Sequence, residues 1–435
     1  MAAARAIEER LKRRTARIGV IGLGYVGLPL AVEFAKAGFR VTGFEIDEKR
    51  VGQLNRGRSY IQDVPTRELR DLVRSGKLRG TLNFDELRKM DAIDICVPTP
   101  LRKTKDPDVS YILAAVREIA PRLQRGQLVV LESTTYPGTT DELVLPLLQR
   151  DSWKIGRDFY LAFSPERVDP GNPTYQTHNI PKVVGGVTPA CSRAAAALYS
   201  TVVDRVVPVG STQVAEMVKL LENTFRSVNI GLVNEIALMC DKMKINVWEV
   251  IDAAATKPFG FMPFYPGPGL GGHCIPIDPF YLSWKARQSG FEARFIELAG
   301  QINGSMPYHV VQRVREALNS QRKSVRGSRV LVLGVAYKAD IDDVRESPSL
   351  DILDLLEKEG ATVGFSDPYI ETIRHAGRPL RSTPFRPSSL RAADCVVIAT
   401  AHKVFDYSQV TKHAKTIVDS RNALRGRRTR GVFRL

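Results

Sequence analysis

The stretch Arg17-Ile-Gly-Val-Ile-Gly22-Leu-Gly24-Tyr-Val-Gly27 decides the fold. Its first half is a short apolar run typical of a buried strand, and its glycines lead into an apolar-periodic helix pattern that ends near Gly38. A second strand pattern begins at Arg40 and ends at Glu45, where a dinucleotide-binding unit carries an acid for the ribose hydroxyls. Strand, glycine turn, helix, strand and acid follow one another in the order of a Rossmann unit.

This unit predicts a dinucleotide over the glycine turn, because the glycines let a pyrophosphate reach the N–H groups and positive dipole at the start of the helix. An acid at Glu45 would repel the 2′-phosphate of NADP, so we expect NAD as the cofactor, with Asp47 as the competing ribose contact. The cofactor-binding candidates are Gly22, Gly24, Tyr25, Val26, Gly27, Glu45, Asp47, Arg50, Pro98, Thr99, Ser133 and Thr134.

Polar residues follow three further strand patterns, at Pro98-Thr99-Pro100, Glu132-Ser133-Thr134-Thr135 and Phe163-Ser-Pro-Glu166-Arg167-Val168. Ligands of open α/β sheets collect at the carboxyl ends of strands, so Thr99, Ser133 and Thr134 are expected beside cofactor or substrate. Alternatively, these hydroxyl residues only cap the following helices. Glu166 is either a site acid or a member of a surface ion pair.

Residues 211–246 contain no glycine or proline apart from Gly231, and apolar residues recur there at three- and four-residue spacing. This pattern predicts one long helix between two domains. Lys219 and Asn223 lie four residues apart and therefore share a face of that helix.

A single cysteine follows the glycines and prolines of Gly267-Pro-Gly-Leu-Gly271-Gly-His-Cys274-Ile-Pro-Ile-Asp278. Glycines allow the main chain to approach a bound molecule closely, and prolines stiffen the loop around the thiol. The loop is compatible with a reactive nucleophile at Cys274 and equally with an inert cysteine in a turn. We interpret the neighbouring His273 as loop structure or a substrate contact.

The last part of the chain repeats the first, because Arg329-Val-Leu-Val-Leu-Gly334 matches the opening strand and glycine. Ser347 and Pro348 then read as the N-cap and first residue of a helix. The long first loop places Lys338 and Arg345 where they could clamp a diphosphate. We therefore predict an α/β fold with two Rossmann-like doubly wound domains joined by a long central helix. The expected division is an NAD-binding domain at 1–208, a helical linker with the cysteine region at 209–320, and a second nucleotide-binding domain at 321–435.

Composition narrows the class of protein. The chain has 435 residues, 43% of them hydrophobic, and a net charge of +16 that is concentrated near its two ends. The basic tail lacks interleaved aromatic residues, so we expect no nucleic acid partner. Five cysteines far apart, without metal-ligand spacing, suit a reducing cytosol, and no stretch approaches the 20 or so apolar residues of a membrane span. The expectation is a soluble cytoplasmic protein without a metal site.

These motifs, with Lys219-Leu-Leu-Glu-Asn223 and Gly334-Val-Ala-Tyr-Lys338-Ala-Asp340, resemble the UDP-glucose/GDP-mannose dehydrogenase family over nearly the whole chain. The resemblance implies a four-electron oxidation of the C6 alcohol of a UDP-sugar to a carboxylate, with two NAD used in succession. It also implies a homo-oligomer formed through the central helix and a product used for lipopolysaccharide or capsule synthesis.

The resemblance also implies residue roles. By position, Cys274 is the nucleophile, and Lys219, Asn223 and Asp278 handle charge and protons around it. Thr134 and Glu166 hold water near the reacting carbon, while Lys338 and Arg345 hold the UDP part. The candidate substrate contacts are Glu166, Arg167, Val168, Lys219, Asn223, Phe264, Tyr265, Gly271, Lys338 and Arg345. Phe264 and Tyr265 either line the sugar pocket or pack beneath it.

The chain departs from the UDP-glucose enzymes, which carry Pro-Glu-Phe-Leu followed by a second glutamate. Here Arg167 replaces the aromatic residue and Pro170 the second acid. We hypothesise that this loop leaves room and a donor for a 2-acetamido group, which makes UDP-N-acetylglucosamine the expected substrate. UDP-N-acetylmannosamine, UDP-N-acetylgalactosamine and UDP-glucose remain alternatives within the enzymes. A non-catalytic nucleotide-sugar binding protein is the alternative from another class, but binding alone does not require the thiol of Cys274.

Overall fold

The computed structural model describes residues 2–102, 106–169, 172, 174–272, 274–427 and 431–435, so His273 and Pro170 lie outside the described residues. The chain forms two compact units. Unit 1 consists of Met1–Glu222 and Trp284–Gly290, and unit 2 of Asn223–Ser283 and Phe291–Leu435. The sequence-based boundaries after residues 208 and 320 stay a prediction.

Unit 1 is built on one sheet of eight strands in the order β3-β2-β1-β4-β5-β6-β7-β8. Its first six strands have the order of a dinucleotide-binding fold. The strands are β1 (Arg17–Ile21), β2 (Arg40–Phe44), β3 (Leu78–Thr81), β4 (Ala92–Ile95), β5 (Leu128–Leu131), β6 (Tyr160–Phe163), β7 (Lys182–Gly186) and β8 (Val206–Val209). The helices are α1 (Ala2–Lys12), α2 (Gly27–Lys36), α3 (Glu48–Asn55), α4 (Thr66–Arg74), α5 (Ser110–Ile119), α6 (Leu145–Leu148) and α7 (Pro189–Tyr199), with a 3₁₀ helix at Phe84–Lys89 and a π-helix at Thr140–Val144.

Both faces of this sheet are covered, as the nearly continuous apolar strands require. Successive residues of β5 divide between two hydrophobic clusters: Val130 packs in the layer with Ile7 of α1, and Leu131 in the layer with Ile112 of α5. Each of these four side chains is fully buried.

One pair of neighbouring strands in the sheet is antiparallel. Strand β7 runs against β6, with Ala162 opposite Gly186 and Phe163 opposite Gly185, while all other neighbours in the sheet are parallel. Continuing the register past the end of β6 brings Lys182, the first residue of β7, opposite Glu166. The start of β7 therefore lies at the carboxyl edge formed by β4, β5 and β6, where ligands of such sheets bind.

Unit 2 contains a second, five-stranded parallel sheet in the order β10-β9-β13-β14-β15. The strands are β9 (Arg329–Leu333), β10 (Thr362–Ser366), β11 (Thr372–His375), β12 (Arg378–Arg381), β13 (Cys395–Ile398), β14 (Ile417–Asp419) and β15 (Val432–Arg434), with β11 and β12 forming a separate hairpin. The helices are α8 (Thr212–Met243), α9 (Val247–Ala254), α10 (Asp278–Gln288), α11 (Arg294–Asn319), α12 (Pro348–Lys358), α13 (Pro387–Ala392) and α14 (Tyr407–His413). Helix α8 begins in unit 1 and ends in unit 2, and α10 does the reverse.

The fold prediction is confirmed: two doubly wound parallel sheets and one long central helix are present. Ser347 caps α12 by accepting the N–H of Ser349, as the sequence predicts. Within the described parts of the chain, no helix has the length and apolar character needed to cross a bilayer.

The internal repeat extends to single side chains. Gly22 and Gly334 have φ of +89° and +84°, and a Cβ on either would collide with the segment after the neighbouring strand, at Cys96 and Thr400. These glycines are therefore required by the same close approach between a loop and its sheet.

The acids that follow β2 and β10 are Glu45 and Asp367, and they differ in their hydrogen-bond donors, since Asp367 also has a histidine partner. Glu45 accepts the N–H of Leu23 at 3.0 Å. Asp367 accepts the N–H groups of Val335 and Ala336 at 2.8 and 3.0 Å, and its Oδ2 also lies 3.1 Å from Nε2 of His402. Because His402 Nδ1 accepts a hydrogen bond from the N–H of Asp340, Nε2 carries the ring proton and donates a hydrogen bond to Asp367. The acid of unit 2 is thus saturated by protein donors.

Candidate active site

The glycine turn of unit 1 assigns a different task to each glycine. A Cβ at Gly22 would lie 2.7 Å from the carbonyl oxygen of Cys96, and one at Gly27 would overlap the carbonyl of Gly22. A Cβ at Gly24 has no neighbouring atom within 4 Å. Gly22 and Gly27 are therefore needed by the protein itself, whereas Gly24 leaves open the space where a pyrophosphate approaches a dinucleotide-binding turn. Tyr25 and Val26 follow at the start of α2, and the Tyr25 ring is exposed.

The two candidate ribose acids have different surroundings. Glu45 is buried, accepts the N–H groups of Leu23 and Ile46, and lies 3.5 Å from Nη1 of Arg50. Asp47 is exposed and caps α3 by accepting the N–H groups of Lys49 and Arg50. Glu45 is thus hydrogen-bonded to the glycine turn, whereas Asp47 is engaged in capping α3.

The carboxyl edge of the sheet carries the candidates Pro98, Thr99, Ser133 and Thr134. Ser133 donates its hydroxyl hydrogen bond to the carbonyls of Ile95 and Val97, so it joins the ends of β4 and β5 and caps no helix. Pro98 is exposed and Thr99 is buried. The Thr134 hydroxyl is half-buried and makes no hydrogen bond with the described residues, which leaves it available for a ligand or water.

Glu166 is partly buried and forms an ion pair with the buried Lys182. Its Oε2 lies 3.1 Å from Nζ of Lys182, and its Oε1 accepts the N–H groups of Arg167 and Val168 at 2.7 and 2.8 Å. Burial raises the pKa of Glu166, but the charge of Lys182 and the N–H of Val168 outweigh it and hold the pKa below its usual value; Lys219 acts in the same direction. Glu166 is therefore an ionised carboxylate.

Arg167 is held within unit 1. Its Nη2 lies 2.6 Å from Oε1 of Glu222, and its Nη1 donates to the carbonyl of Pro181 at 2.6 Å. Its Nε also donates to Oε2 of Glu222 at 3.2 Å, so all three guanidinium nitrogens are directed to protein acceptors.

Lys219 on α8 is a buried cation. The residue is only 7% exposed, and its ammonium makes no hydrogen bond or ion pair with the residues that the structure describes. Lysines are almost never buried unless paired, because a desolvated charge without a counter-ion is costly. The position therefore favours an anionic or oxyanionic ligand.

In unit 2, Cys274 differs from the other four cysteines. Cys274 is partly exposed, whereas Cys96, Cys191, Cys240 and Cys395 are buried. Burial raises the pKa of the Cys395 thiol to about 12, which makes it a poor nucleophile.

Cys274 is joined to the candidate base by one helical turn. The N–H of Asp278 donates to the carbonyl of Cys274 at 2.8 Å, where α10 begins. Asp278 is 2% exposed, and its Oδ2 accepts a hydrogen bond of 2.5 Å from Nδ2 of Asn223 on α8. Three of the predicted catalytic residues are thus brought together within unit 2.

The glycines of the cysteine loop approach protein rather than empty space. A Cβ at Gly271 would lie 2.5 Å from the side chain of Tyr337, and Gly272 donates its N–H to the carbonyl of Arg345 at 2.9 Å. The loop is therefore fixed on the segment that follows β9.

Phe264 and Tyr265 pack on helices of unit 2. Phe264 makes an edge-to-face contact with Phe225 of α8, and Tyr265 stacks on Trp248 of α9 with its hydroxyl donating to Asp252 at 3.0 Å. Tyr265 nevertheless keeps 46% of its surface exposed. That these two aromatics line a sugar pocket or pack beneath it stays a prediction.

The candidate diphosphate clamp lies after β9. Lys338 is half-buried in that loop. The Arg345 guanidinium forms a bidentate ion pair with Asp343, with Nε 3.1 Å from Oδ1 and Nη2 2.7 Å from Oδ2. A further arginine, Arg421 after β14, was missed by the sequence analysis. Its Nε donates to the carbonyl of Ala399, it has no acidic partner among the described residues, and burial lowers its pKa to about 10.

Comparison with known proteins identifies the domains. The chain matches the NAD binding domain of the UDP-glucose/GDP-mannose dehydrogenase family at residues 16–203, its central domain at 213–305 and its UDP binding domain at 331–426. A UDP-N-acetyl-D-glucosamine 6-dehydrogenase of Pseudomonas aeruginosa is 36% identical over 89% of this chain and 91% of its own length. An NDP-N-acetyl-D-galactosaminuronic acid dehydrogenase of Ralstonia nicotianae is 37% identical over 93% of this chain and 95% of its own.

Solved structures agree in fold along nearly the whole chain. A UDP-N-acetyl-mannosamine dehydrogenase from Pyrococcus horikoshii gives a TM-score of 0.87 at 35% identity and covers 96% of this chain and 98% of its own. The chain therefore belongs to the UDP-glucose/GDP-mannose dehydrogenase family of NAD-dependent oxidoreductases.

Proposed function

We propose that the chain oxidises the C6 alcohol of UDP-N-acetylglucosamine to the carboxylate through a thioester on Cys274. The observation that carries this proposal is the arrangement in which a partly exposed thiol is followed, one helical turn later, by a buried carboxylate hydrogen-bonded to Asn223. A protein that only bound nucleotide sugars would have no use for this combination.

The glycine turn fits NAD, because Gly24 leaves open space beside the start of α2 and Glu45 lies at the end of β2. When bound, NAD accepts the hydride released in each of the two oxidations. We propose that Gly22, Gly24, Gly27 and Glu45 hold it, with Pro98, Thr99 and Ser133 alongside.

Asp278 is proposed to accept the proton of the C6 hydroxyl in the first oxidation. Its hydrogen bond from Asn223 fixes the carboxylate and favours its ionised form. Lys219, which is buried and has no hydrogen-bond or ion-pair partner among the described residues, then stabilises the negative charge that develops on the C6 oxygen. Asp278 thus takes the proton and Lys219 balances the oxyanion, while Asn223 orients Asp278.

Cys274 is proposed to trap the resulting aldehyde. Its thiolate forms a bond to C6 and the carbonyl electrons move to oxygen, which keeps the reactive aldehyde bound between the two oxidations. After the second oxidation, water adds to the thioester carbon, its proton passes to Glu166, and the C–S bond breaks with the electron pair returning to sulfur. Thr134 and Glu166 hold that water, since the Thr134 hydroxyl is available and Glu166 is ionised.

The UDP moiety is proposed to lie on Lys338, Arg345 and, in addition, Arg421. Arg421 carries a positive charge without an acidic partner in the described residues, which suits a diphosphate. The preference for an N-acetyl sugar rests on Arg167, which replaces the aromatic residue of UDP-glucose enzymes, and on relatives that are named for N-acetylated sugars. The product would serve as a precursor of a surface polysaccharide.

Self-association through α8 is part of the proposal. Exposed apolar side chains recur along one side of this helix at intervals of three, four and seven residues, and we call them the α8 stripe: Val214, Met217, Leu221, Phe225, Leu232, Met239 and Met243. Such a continuous apolar stripe on a long helix is typical of a surface that another chain covers.

The substrate is tested by measuring kcat/KM for NADH formation with four sugars: UDP-N-acetylglucosamine, UDP-N-acetylmannosamine, UDP-N-acetylgalactosamine and UDP-glucose. We expect the first to exceed each of the others by about tenfold or more, since one misplaced polar group costs at least this much in a fitted site. A higher value with another sugar would replace the assignment, and equal values with UDP-glucose would remove the role given to Arg167.

A further inference from the structure

A buried cluster of ionisable groups lies beneath the carboxyl edge of the unit 1 sheet. Lys182 Nζ lies 3.0 Å from Oε2 of Glu132 and 3.1 Å from Oε2 of Glu166. The Tyr199 hydroxyl lies 2.6 Å from Oδ1 of Asp94 and is also hydrogen-bonded to Glu132. The chain Asp94, Tyr199, Glu132, Lys182 and Glu166 is therefore continuous, and Glu166 ends it.

The topology explains why a lysine reaches this place. Glu132 follows β5 and Glu166 follows β6, and these strands are parallel, so both acids lie at the same edge. Strand β7 is antiparallel to β6, which brings its first residue, Lys182, to that edge. Lys182 has only 5% of its side chain exposed and bridges both acids.

A count of protons fixes the charges in the cluster. The Tyr199 hydroxyl has one proton to donate, yet carboxylates of Asp94 and Glu132 both lie within hydrogen-bond distance of it. One acid must therefore carry a proton of its own and donate it to the hydroxyl oxygen. We assign that proton to Asp94, because no cation among the described residues lies within ion-pair distance of it, whereas Glu132 contacts the Lys182 ammonium. Burial raises the pKa of both acids, and that of Asp94 well above its usual value.

The remaining charges are one cation and two carboxylates. Lys182 is positive, and Glu132 and Glu166 are negative, so the cluster carries one excess negative charge. Glu132 is fully buried, while the side chain of Glu166 is 14% exposed. The excess charge is therefore presented to solvent at Glu166.

We propose that Lys182 is a positioning residue that keeps Glu166 ionised and its carboxylate fixed, so that Glu166 can take the proton of the water that cleaves the thioester. This inference rests on the proposed function. Lys182 touches neither substrate nor cofactor and acts through Glu166.

The ionisable groups around Glu166 are Lys182 of β7, Lys219 and Glu222 of α8, Glu132 after β5, Asp94 and Cys96 in and after β4, Tyr199 of α7, and the adjacent Arg167.

The test follows the decay of the acyl-enzyme on Cys274 in single turnovers, by rapid quenching and intact-protein mass measurement, as a function of pH. In Lys182→Met, Glu166 loses its nearest cation. We expect the acid limb of the decay rate to move upward by about one pH unit or more, as removal of a neighbouring opposite charge does. Formation of the acyl-enzyme and the KM for the UDP-sugar stay within about threefold of the wild type.

Lys182→Met also leaves the buried Glu132 without its cation, which costs stability. The double variant Lys182→Met/Glu132→Gln removes both charges, so no buried carboxylate is left beside Tyr199 without its cation. Its fold is therefore expected to survive while Glu166 still lacks Lys182. The acid limb should remain shifted upward in the double variant, by less than in Lys182→Met, because the charge of Glu132 and that of Glu166 repel and its removal acts in the opposite direction. Lys182→Arg, which keeps the charge, should bring the limb back toward the wild-type position, and the exposed Lys154→Met is the matched control.

An acid limb at the wild-type position in the folded double variant would overturn the inference, because Lys182 would then serve the fold alone. Failure of the proposed function looks different: the wild-type protein itself would form no acyl-enzyme with any UDP-sugar.

Discussion

The side-chain amide of Asn223 donates a hydrogen bond of 2.5 Å to the buried carboxylate of Asp278. Asp278 also donates its N–H to the carbonyl of Cys274, so the nucleophile candidate lies in the turn that leads directly into α10 and the base candidate is the first residue of that helix. Both contacts lie within unit 2. They tie the orientation of the Asp278 carboxylate to a neutral amide on α8.

Asp278→Asn keeps the shape of this side chain but removes its ability to accept a proton. We expect kcat for NADH formation to fall by about 10² to 10⁴ while the Kd of the UDP-sugar changes little, because general base catalysis contributes about this much. Initial rates and isothermal titration measure the two quantities. Asp354→Asn, at an exposed position of α12, is the control and should behave as the wild type. Full activity in Asp278→Asn would show that another group takes the hydroxyl proton.

Gly22→Ala and Gly24→Ala separate the fold from cofactor binding. Gly22 has φ of +89° and its Cβ would meet a backbone oxygen at 2.7 Å, so we expect the free energy of unfolding to fall by about 1 to 3 kcal/mol. Gly24→Ala meets no atom and should unfold within about 0.5 kcal/mol of the wild type. Its methyl group nevertheless enters the space assigned to the pyrophosphate, and the Kd for NAD should rise about tenfold or more. Urea unfolding and NAD titration check both, and unchanged NAD affinity in Gly24→Ala would place the cofactor elsewhere.

Most of the fold could be predicted because local sequence patterns specify it. The glycine turn at residues 22–27 and its partial copy at Gly334 fix two strand–turn–helix units, and the run without glycine or proline fixes α8. Helix periodicity and strand-to-helix order are properties of neighbouring residues, so a single sequence displays them.

The site was less accessible for a physical reason. Glu166 was left between a site acid and a surface ion pair, since its partner Lys182 arrives from a strand whose antiparallel direction has no local signature. A lysine on a helix is usually solvated, so helical spacing alone does not single out Lys219; its burial without a hydrogen-bond or ion-pair partner among the described residues does. Arg421 did have a signal: it follows β14 as Ser133 and Thr134 follow β5, at the same station of the internal repeat.

Leu232→Glu tests the α8 stripe. Leu232 has 53% of its surface exposed in the single chain, and a charge at this point of a covered apolar surface would be buried without a partner. We expect light scattering to give a multiple of the 48.3 kDa chain mass for the wild type and the chain mass itself for the variant at micromolar concentration. Val404→Glu, at an apolar residue that is 65% exposed outside the stripe, should leave the mass unchanged. A monomeric wild type would exclude self-association through α8.

The central claim is that one protein carries out both oxidations and retains the aldehyde on Cys274. The most direct measurement is the number of NADH formed per UDP-N-acetylglucosamine consumed, with intact-protein mass recorded for the wild type and Cys274→Ser. We expect two NADH per sugar and a covalent adduct on the wild type, and a loss of acid formation of about 10³-fold or more in Cys274→Ser, which lacks the thiolate. No NADH from any UDP-sugar, or acid formed by Cys274→Ser at the full wild-type rate, would contradict it.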